Sequence, residues 1–566
     1  MLRRIICRCV GASLAILAAI AVLALVFAPA SQAQGGEPRY FAIKNVRIVP
    51  VSGPVIETGT VVIANGLIQA VGANATIPPE AWVIDGKDLT VYPSLIDAMS
   101  EVALAETEPP VQGPTGRGAR RRAVPAEIAK GPEDRPGTTP WVVAADEVKP
   151  DEKRFETWRN AGFTTALAVP KGTIFPGQGS VINFAGERAG DLVVKSPMTL
   201  DVSLQPIGGF FSFPGSLMGV IAYVRQVFID AAWYSQAEAV YDAHPHGLER
   251  PKYDRTERVV GDARRNRELV LLSANTEIQL RRALRLTQEL GLGAAFYGGQ
   301  QGYAVAELIA AQNVPVLVSL KWPERPKDAD PDGDTPLREL RFRDRAPSTP
   351  AAFAKAGVKF AFYSDGITSP KEVLKNAKKA IDAGLAPDAA LHAFTLSAAE
   401  IMSVNDRLGS IEPGKIANLV VADGDLFNEK TKIKYVFVDG QKIEVRESER
   451  PKEPPKGNLT GKWTLSYTSP EGPEEGTADL TMASDGTLSG TFSSRRGTQT
   501  LSDGWVSGNS FHFIITIPLD QGPADVTVSG TFEGNTMKGT ISVSGLLIDF
   551  TGTKPGGEGK SAVEEN

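Results

Sequence analysis

Few side chains in this sequence could hold a metal ion or attack a carbonyl, and that scarcity is the first constraint on its chemistry. The 566 residues include four histidines and two cysteines. His244-Pro245-His246 has the outline of a ligand pair, yet it sits in a polar, irregular stretch with no third donor beside it, which fits a surface loop. His392 falls in a helical pattern ahead of FTLSAAE and reads as a packed or surface residue, and His512 belongs to a β-rich C-terminal region. Ser273 ends the apolar run ELVLLSA, with no histidine placed by sequence to activate it as a nucleophile. Asp365 closes FAFYSDG, where a carboxylate can act as a general base or, equally, cap the next helix. The Gly177-Gln178-Gly179 loop offers backbone donors to a pocket or serves a tight turn; both readings stay open.

The elements that must position these residues come in three kinds. From Tyr40 to Val91 short alternating runs read as strands, with Asn65-Gly66 and Asp85-Gly86 as hairpin turns. Similar runs return at ANLVVADG and YVFVDGQKIEV, so residues 40–92 and 408–446 are expected to build one small β domain from both ends. Between them, over residues 93–407, GFTTALAV, ELVLLSA, LGAAFYGG, VPVLVSL and VKFAFYSDG read as buried strands alternating with helices. Asn275 to Leu290 is expected to be one such helix, capped by Asn275 and ended by Gly291. Strand-then-helix repetition over this length predicts an α/β fold, a (β/α)₈ TIM-like barrel. A Pro/Gly/Arg-rich insert at 106–140 and a polar, irregular one from Tyr241 to Arg267 interrupt it. A linker at 447–457 leads to a separate all-β domain at 458–555, barrel or sandwich, and then a polar tail at 556–566. Trp463, Trp505 and Phe513 in that domain could contact a ligand, a glycan or a protein, though alternating aromatics on strands usually form the core.

Residues 1–33 carry Arg3, Arg4 and Arg8, then an unbroken apolar stretch, then Ser31-Gln32-Ala33, the pattern of an export signal. The expected location is periplasmic or extracellular, with membrane contact only through an uncleaved form of this segment. Cys7 and Cys9 both lie inside it, so a processed chain would have no disulfide, thiolate metal site or cysteine nucleophile. Loss of its three arginines would take the net charge from −6 to −9, which gives no electrostatic reason to bind nucleic acid. The sequence is silent on oligomeric state.

VYPSLIDAMSE, at 91–101, resembles the first barrel strand of amidohydrolases, where the family writes P-G-L-I-D-x-H-x-H. HAFTLSAAEIMSVNDRLGSIEPGKIANLVVADGDLF, from His392 to Phe427, resembles the segment by which that family returns from its barrel to its small β domain. GTIFPGQGSVINFAG, at 172–186, is similar to a Gly-rich segment of exported, imidazolonepropionase-like members. The resemblance implies hydrolysis of C–N bonds by one or two divalent metals at the C-terminal mouth of the barrel. Their ligands are histidines on strands one, five and six and an aspartate on strand eight. Those positions fall here on Met99 and Glu101, on Ser273, on Tyr297 or Gly298, and on Asp365.

A thioether, a hydroxyl and one carboxylate do not replace four imidazoles for zinc. The expectation is therefore a barrel that has lost its ordinary metal site and binds a small amide or dipeptide-like ligand without turning it over. Its pocket would be lined by Ser273, Asn275, Tyr297 and the Gly177-Gln178-Gly179 loop. The competing expectation is an active hydrolase with an altered site, in which Glu101 and Asp365 face each other across the mouth. Such a pair could do acid–base chemistry or hold a single hard divalent cation; no cofactor is otherwise implied.

Overall fold

A computed structural model describes residues 40–554, apart from 105–134, 151–153, 173, 187, 208–212, 326–333, 446–452, 470–471, 484–485, 496, 520–521 and 544–545. Residues 1–33, where an export signal is expected, nearly all of the first insert and the tail therefore lie outside the described residues. The chain forms two compact units, residues 1–445 and 446–566.

The first unit begins and ends in one eight-stranded sheet. Tyr40–Ile48, Ile56–Ala64, Leu67–Gly72, Trp82–Asp85 and Thr90–Pro93 come from its start, and Leu419–Ala422, Ile433–Val438 and Gln441–Glu444 from its end. The halves join where Thr90–Pro93 pairs antiparallel with Leu419–Ala422. The sheet curls on itself. Phe41 and Phe437 lie three strands apart in it, about 14 Å at the usual strand spacing, yet their rings meet at 5.5 Å. Asn65 and Gly66, both at positive φ, make the hairpin turn that their types require. Asp85-Gly86 does not. The strands on either side of it both run parallel to Tyr40–Ile48, and Gly86 is there for close approach, since a Cβ on it would lie 2.7 Å from that of Val46.

The barrel has eight strands in sequence order around the ring: Leu95–Ser100, Phe163–Ala168, Gln178–Asn183, Val193–Val202, Leu269–Ala274, Ala294–Gly298, Val316–Ser319 and Phe360–Tyr363. Seven follow the parallel pattern of a TIM barrel, while the third, Gln178–Asn183, is antiparallel to both neighbours. The ring closes between the eighth and first strands, where Ser364 donates its N–H (2.9 Å) and hydroxyl (2.7 Å) to the buried Asp97 carboxylate. Inside, Ile96, Ala98, Leu167, Val181, Leu271, Ala295, Leu317 and Ala361 pack as one apolar layer. Helices such as Leu217–Ala243, Glu277–Leu290 and Pro370–Asp382 flank the strands. Part of the Tyr241–Arg267 insert is ordered as the 11-residue helix Arg255–Arg265, with Asp254 at its N-cap accepting from the Glu257 N–H.

A buried polar network fixes the small sheet to the barrel. Asn418 donates to Thr165 (3.1 Å) and to Asn183 (3.0 Å), and it accepts from the Asp439 N–H (2.8 Å). Asn183 in turn donates to both Asp439 carboxylate oxygens. Every member has a partner, as buried polar groups require.

The second unit is a nine-stranded antiparallel meander whose first strand, Gly461–Ser469, pairs with its last, Leu546–Thr553. An isolated bridge between Thr487 and Trp505 links the two ends of the sheet. Trp463 and Phe513 are fully buried in its core, and the Trp463 indole N–H donates to the Leu459 carbonyl at 2.8 Å. Trp505 stacks on His512 with ring centroids 5.4 Å apart. Trp463 and Phe513 are therefore part of the packing that holds the unit together.

Candidate functional site at the barrel mouth

Side chains that point inward from the last turns of the strands form a polar layer above the apolar one. Ser273, Tyr297, Tyr363 and Asp365 line a cavity of about 200 Å³ at the C-terminal ends of the strands, where barrels carry their sites. Its wall is completed by Leu204 and Gln205 after the fourth strand, Leu217 and Ile221 on the Leu217–Ala243 helix, and Gln279 and Arg282 on the Glu277–Leu290 helix.

Asp365 stands at the rim. Its backbone takes the left-handed conformation (φ 52°), followed by Gly366 at φ 74°, which turns the chain out of the barrel and leaves the carboxylate exposed. The Ser319 hydroxyl donates to it at 2.7 Å. Ser273 Oγ accepts the Leu204 N–H at 2.9 Å, and the Tyr297 hydroxyl lies within reach of Ser273 and Ser203. Burial pushes the Tyr297 phenol up to about 12, and it lifts that of Tyr363 well above its ordinary value, with the Asp365 charge adding to the shift. Both phenols therefore stay neutral and can donate.

Asn275 reaches the cavity but is not the helix cap. Thr276 takes that place and forms a capping box with Gln279, which leaves Asn275 to exchange two hydrogen bonds with Gln300. The Gly177-Gln178-Gly179 loop is spent on structure. Gln178 is buried and donates its side chain to the Pro140 carbonyl and its N–H to that of Val142, and the Gly179 N–H donates to Thr199. A Cβ on Gly177, whose φ is 151°, would lie 2.4 Å from the Val142 oxygen, so close approach explains that glycine.

The positions corresponding to metal ligands do not fit a metal. Met99 packs against the apolar interior of the barrel. Glu101 is more than half exposed and pairs with Lys171 at 2.8 Å, while Asp365 is engaged by Ser319; neither Met99 nor Glu101 lines the cavity. Ser273 and Tyr297 supply neutral hydroxyls. Among the described residues no three His, Cys, Asp or Glu side chains come together. The His244-Pro245-His246 pair is exposed past the end of the Leu217–Ala243 helix, and His392 is half buried on another helix.

Two residues of this region have no motif to announce them. Asp201, near the end of the fourth strand, is 2% exposed; Thr199 donates to its Oδ1 at 2.9 Å, and its buried Oδ2 has no partner among the described residues. Burial pushes its carboxyl up to about 8. An acid closing the apolar strand MTLDV is a signal that sequence reading could have used. Arg282 lies on a helix face that looks like ordinary solvated surface, and only the fold brings it to the cavity.

The model of the Amidohydrolase family matches residues 274–443. Among solved structures, an amidohydrolase from Thermotoga maritima MSB8 is similar at 25% identity and a TM-score of 0.58, covering 72% of this chain and all of that one. A prolidase complexed with N-methylphosphonate-L-proline is similar at 18% identity and a TM-score of 0.44, over 72% of this chain and 99% of its own. For an adenosine deaminase from Xanthomonas campestris with bound zinc the figures are 17%, 0.40, 72% and 93%. Comparison with curated proteins gives no match. The matched segment runs from the end of the fifth barrel strand back into the small sheet, and the Thermotoga protein is covered over its whole length: residues 274–443 carry the Amidohydrolase family's sequence pattern, and the barrel with its small sheet has the amidohydrolase fold.

Proposed function

We propose that this protein is exported and uses its barrel mouth to bind a small amide or dipeptide-like ligand without metal-dependent hydrolysis. The observation that carries the reading is Met99. Its thioether occupies a position that the family fills with a metal-binding histidine, and it is partly buried against the apolar interior of the barrel. A metal would have to be held by Asp365 with hydroxyls alone, a donor set too weak for zinc. Hydrolysis through a Glu101–Asp365 pair is disfavoured because Glu101 is already paired with Lys171.

The test is elemental analysis of the mature protein, purified without chelators, beside Asp365→Ala, together with a screen of amides and dipeptides. The expected result is no stoichiometric metal in either protein and no turnover. Zinc, manganese or nickel at one equivalent, lost in the variant, overturns the proposal. Export is tested by cell fractionation and by sequencing the mature N-terminus, which is expected to begin at Gln34. Full-length protein retained in the cytoplasm refutes it.

A further inference from the structure

The cavity at the barrel mouth has charge of both signs in its wall, and the positive one is unmatched. Arg282 makes no hydrogen bond or ion pair among the described residues, unlike two arginines near it. Arg281 pairs with Glu277, and Arg225, on the adjoining helix, pairs with Glu289. Gln279 sits one turn before Arg282 on the same cavity wall; its Oε1 is taken by the capping box, which leaves its amide N–H₂ as a further donor. Leu204, Leu217 and Ile221 give an aliphatic wall, and Asp365 supplies an exposed carboxylate.

From this arrangement we infer that the cavity is a receptor for a free aliphatic α-amino acid. Arg282 takes its carboxylate through the paired N–H donors of the guanidinium, a geometry suited to two-point recognition. Asp365 takes its ammonium, and the side chain lies on Leu204, Leu217 and Ile221. Size points the same way. About 200 Å³ is below the roughly 300–1,000 Å³ of pockets that enclose drug-sized ligands, so a single amino acid suits the space better than a dipeptide. The inference rests on the reading of the barrel as a metal-free binding module and departs from it in the ligand, a free amino acid in place of an amide or dipeptide.

Isothermal titration of the full-length mature chain with L-leucine, L-leucinamide and N-acetyl-L-leucine tests each contact. Leucine is expected to bind one per chain. Leucinamide, which lacks the carboxylate, and N-acetyl-leucine, which lacks the ammonium, are each expected to bind at least tenfold more weakly, equivalent to about 1.4 kcal/mol. Arg282→Gln should weaken leucine at least tenfold and leave leucinamide unchanged, and Asp365→Asn should do the converse with N-acetyl-leucine as the insensitive probe. Arg282 is exposed on its helix, so its replacement leaves the fold intact, and matching thermal unfolding of variant and parent will verify this. Absence of leucine binding, equal binding of leucine and leucinamide, or an Arg282→Gln variant that binds leucine normally overturns the inference. Metal content and leucyl-dipeptide hydrolysis measured on the same sample report separately on the metal-free reading.

Discussion

Asp201→Asn should flatten the pH dependence of the barrel's stability, because Asp201 is the most deeply isolated acid in it. The parent carboxyl is buried, has one oxygen without a partner among the described residues, and holds its proton up to about pH 8 in the folded chain against an ordinary value of 3.8. Between those values the folded state binds up to one proton more than the unfolded state, so stability falls as pH rises. The slope approaches 1.36 kcal/mol per pH unit, and across a window of roughly four units the loss is on the order of 5 kcal/mol. Asparagine has the shape of the neutral acid and does not ionise. Asp97, pushed up to about 6 chiefly by burial, shifts in the same direction in both proteins and cancels in their difference. Calorimetric or urea unfolding of both proteins at pH 5, 6, 7 and 8 is the assay. The variant should gain on the parent steadily with pH and be several kcal/mol the more stable at pH 8. A difference between the two that does not change with pH refutes the reasoning and places a partner on Oδ2.

Three further outcomes follow from the packing. Ser364→Ala removes one of the two bonds that close the barrel onto the buried Asp97 carboxylate and should cost roughly 1–3 kcal/mol, more above pH 6 than below because the lost donor favours the ionised form; equal loss at pH 5 and pH 8 in urea unfolding would contradict it. Thr276→Ala breaks the capping box of the Glu277–Leu290 helix and should cost about 1 kcal/mol by the same measurement. Trp463→Ala empties the centre of the C-terminal unit and should destabilise that unit by roughly 3–5 kcal/mol, seen as a lowered transition in calorimetry.

The barrel strands were legible because burial on both faces forces continuous apolar runs, as in GFTTALAV and VKFAFYSDG. The antiparallel third strand was hidden in a Gly-rich stretch whose glycines suggested a loop. The long Leu217–Ala243 helix, whose apolar residues are spread around it, gave no periodic face to read. Asp85-Gly86 misled because its dipeptide type suits a hairpin, whereas Gly86 is demanded by contact with Val46, a tertiary fact. At the site, the sequence gives the residue types, among them Met99 and Ser273, that stand where the resemblance places metal ligands. The pairing of Glu101 with Lys171 could not be read from it, since the two are seventy positions apart and meet only because the first two barrel strands lie side by side.

The same layering explains how a barrel can lose its metal ligands and keep its frame. Stability resides in the lower layer, where Leu271, Ala295, Leu317 and Ala361 interlock across the axis. Chemistry resides two residues further along the same strands, at Ser273, Tyr297, Ser319 and Tyr363, which meet the rim at Asp365. The upper layer holds buried polar groups, and its serine and tyrosine hydroxyls are satisfied by bonding one another and the adjoining backbone. A site rebuilt this way has donors fixed in place and a preference for ligands that bring their own charges. That is why the two charged side chains in the cavity wall, Arg282 and Asp365, are where specificity should be sought.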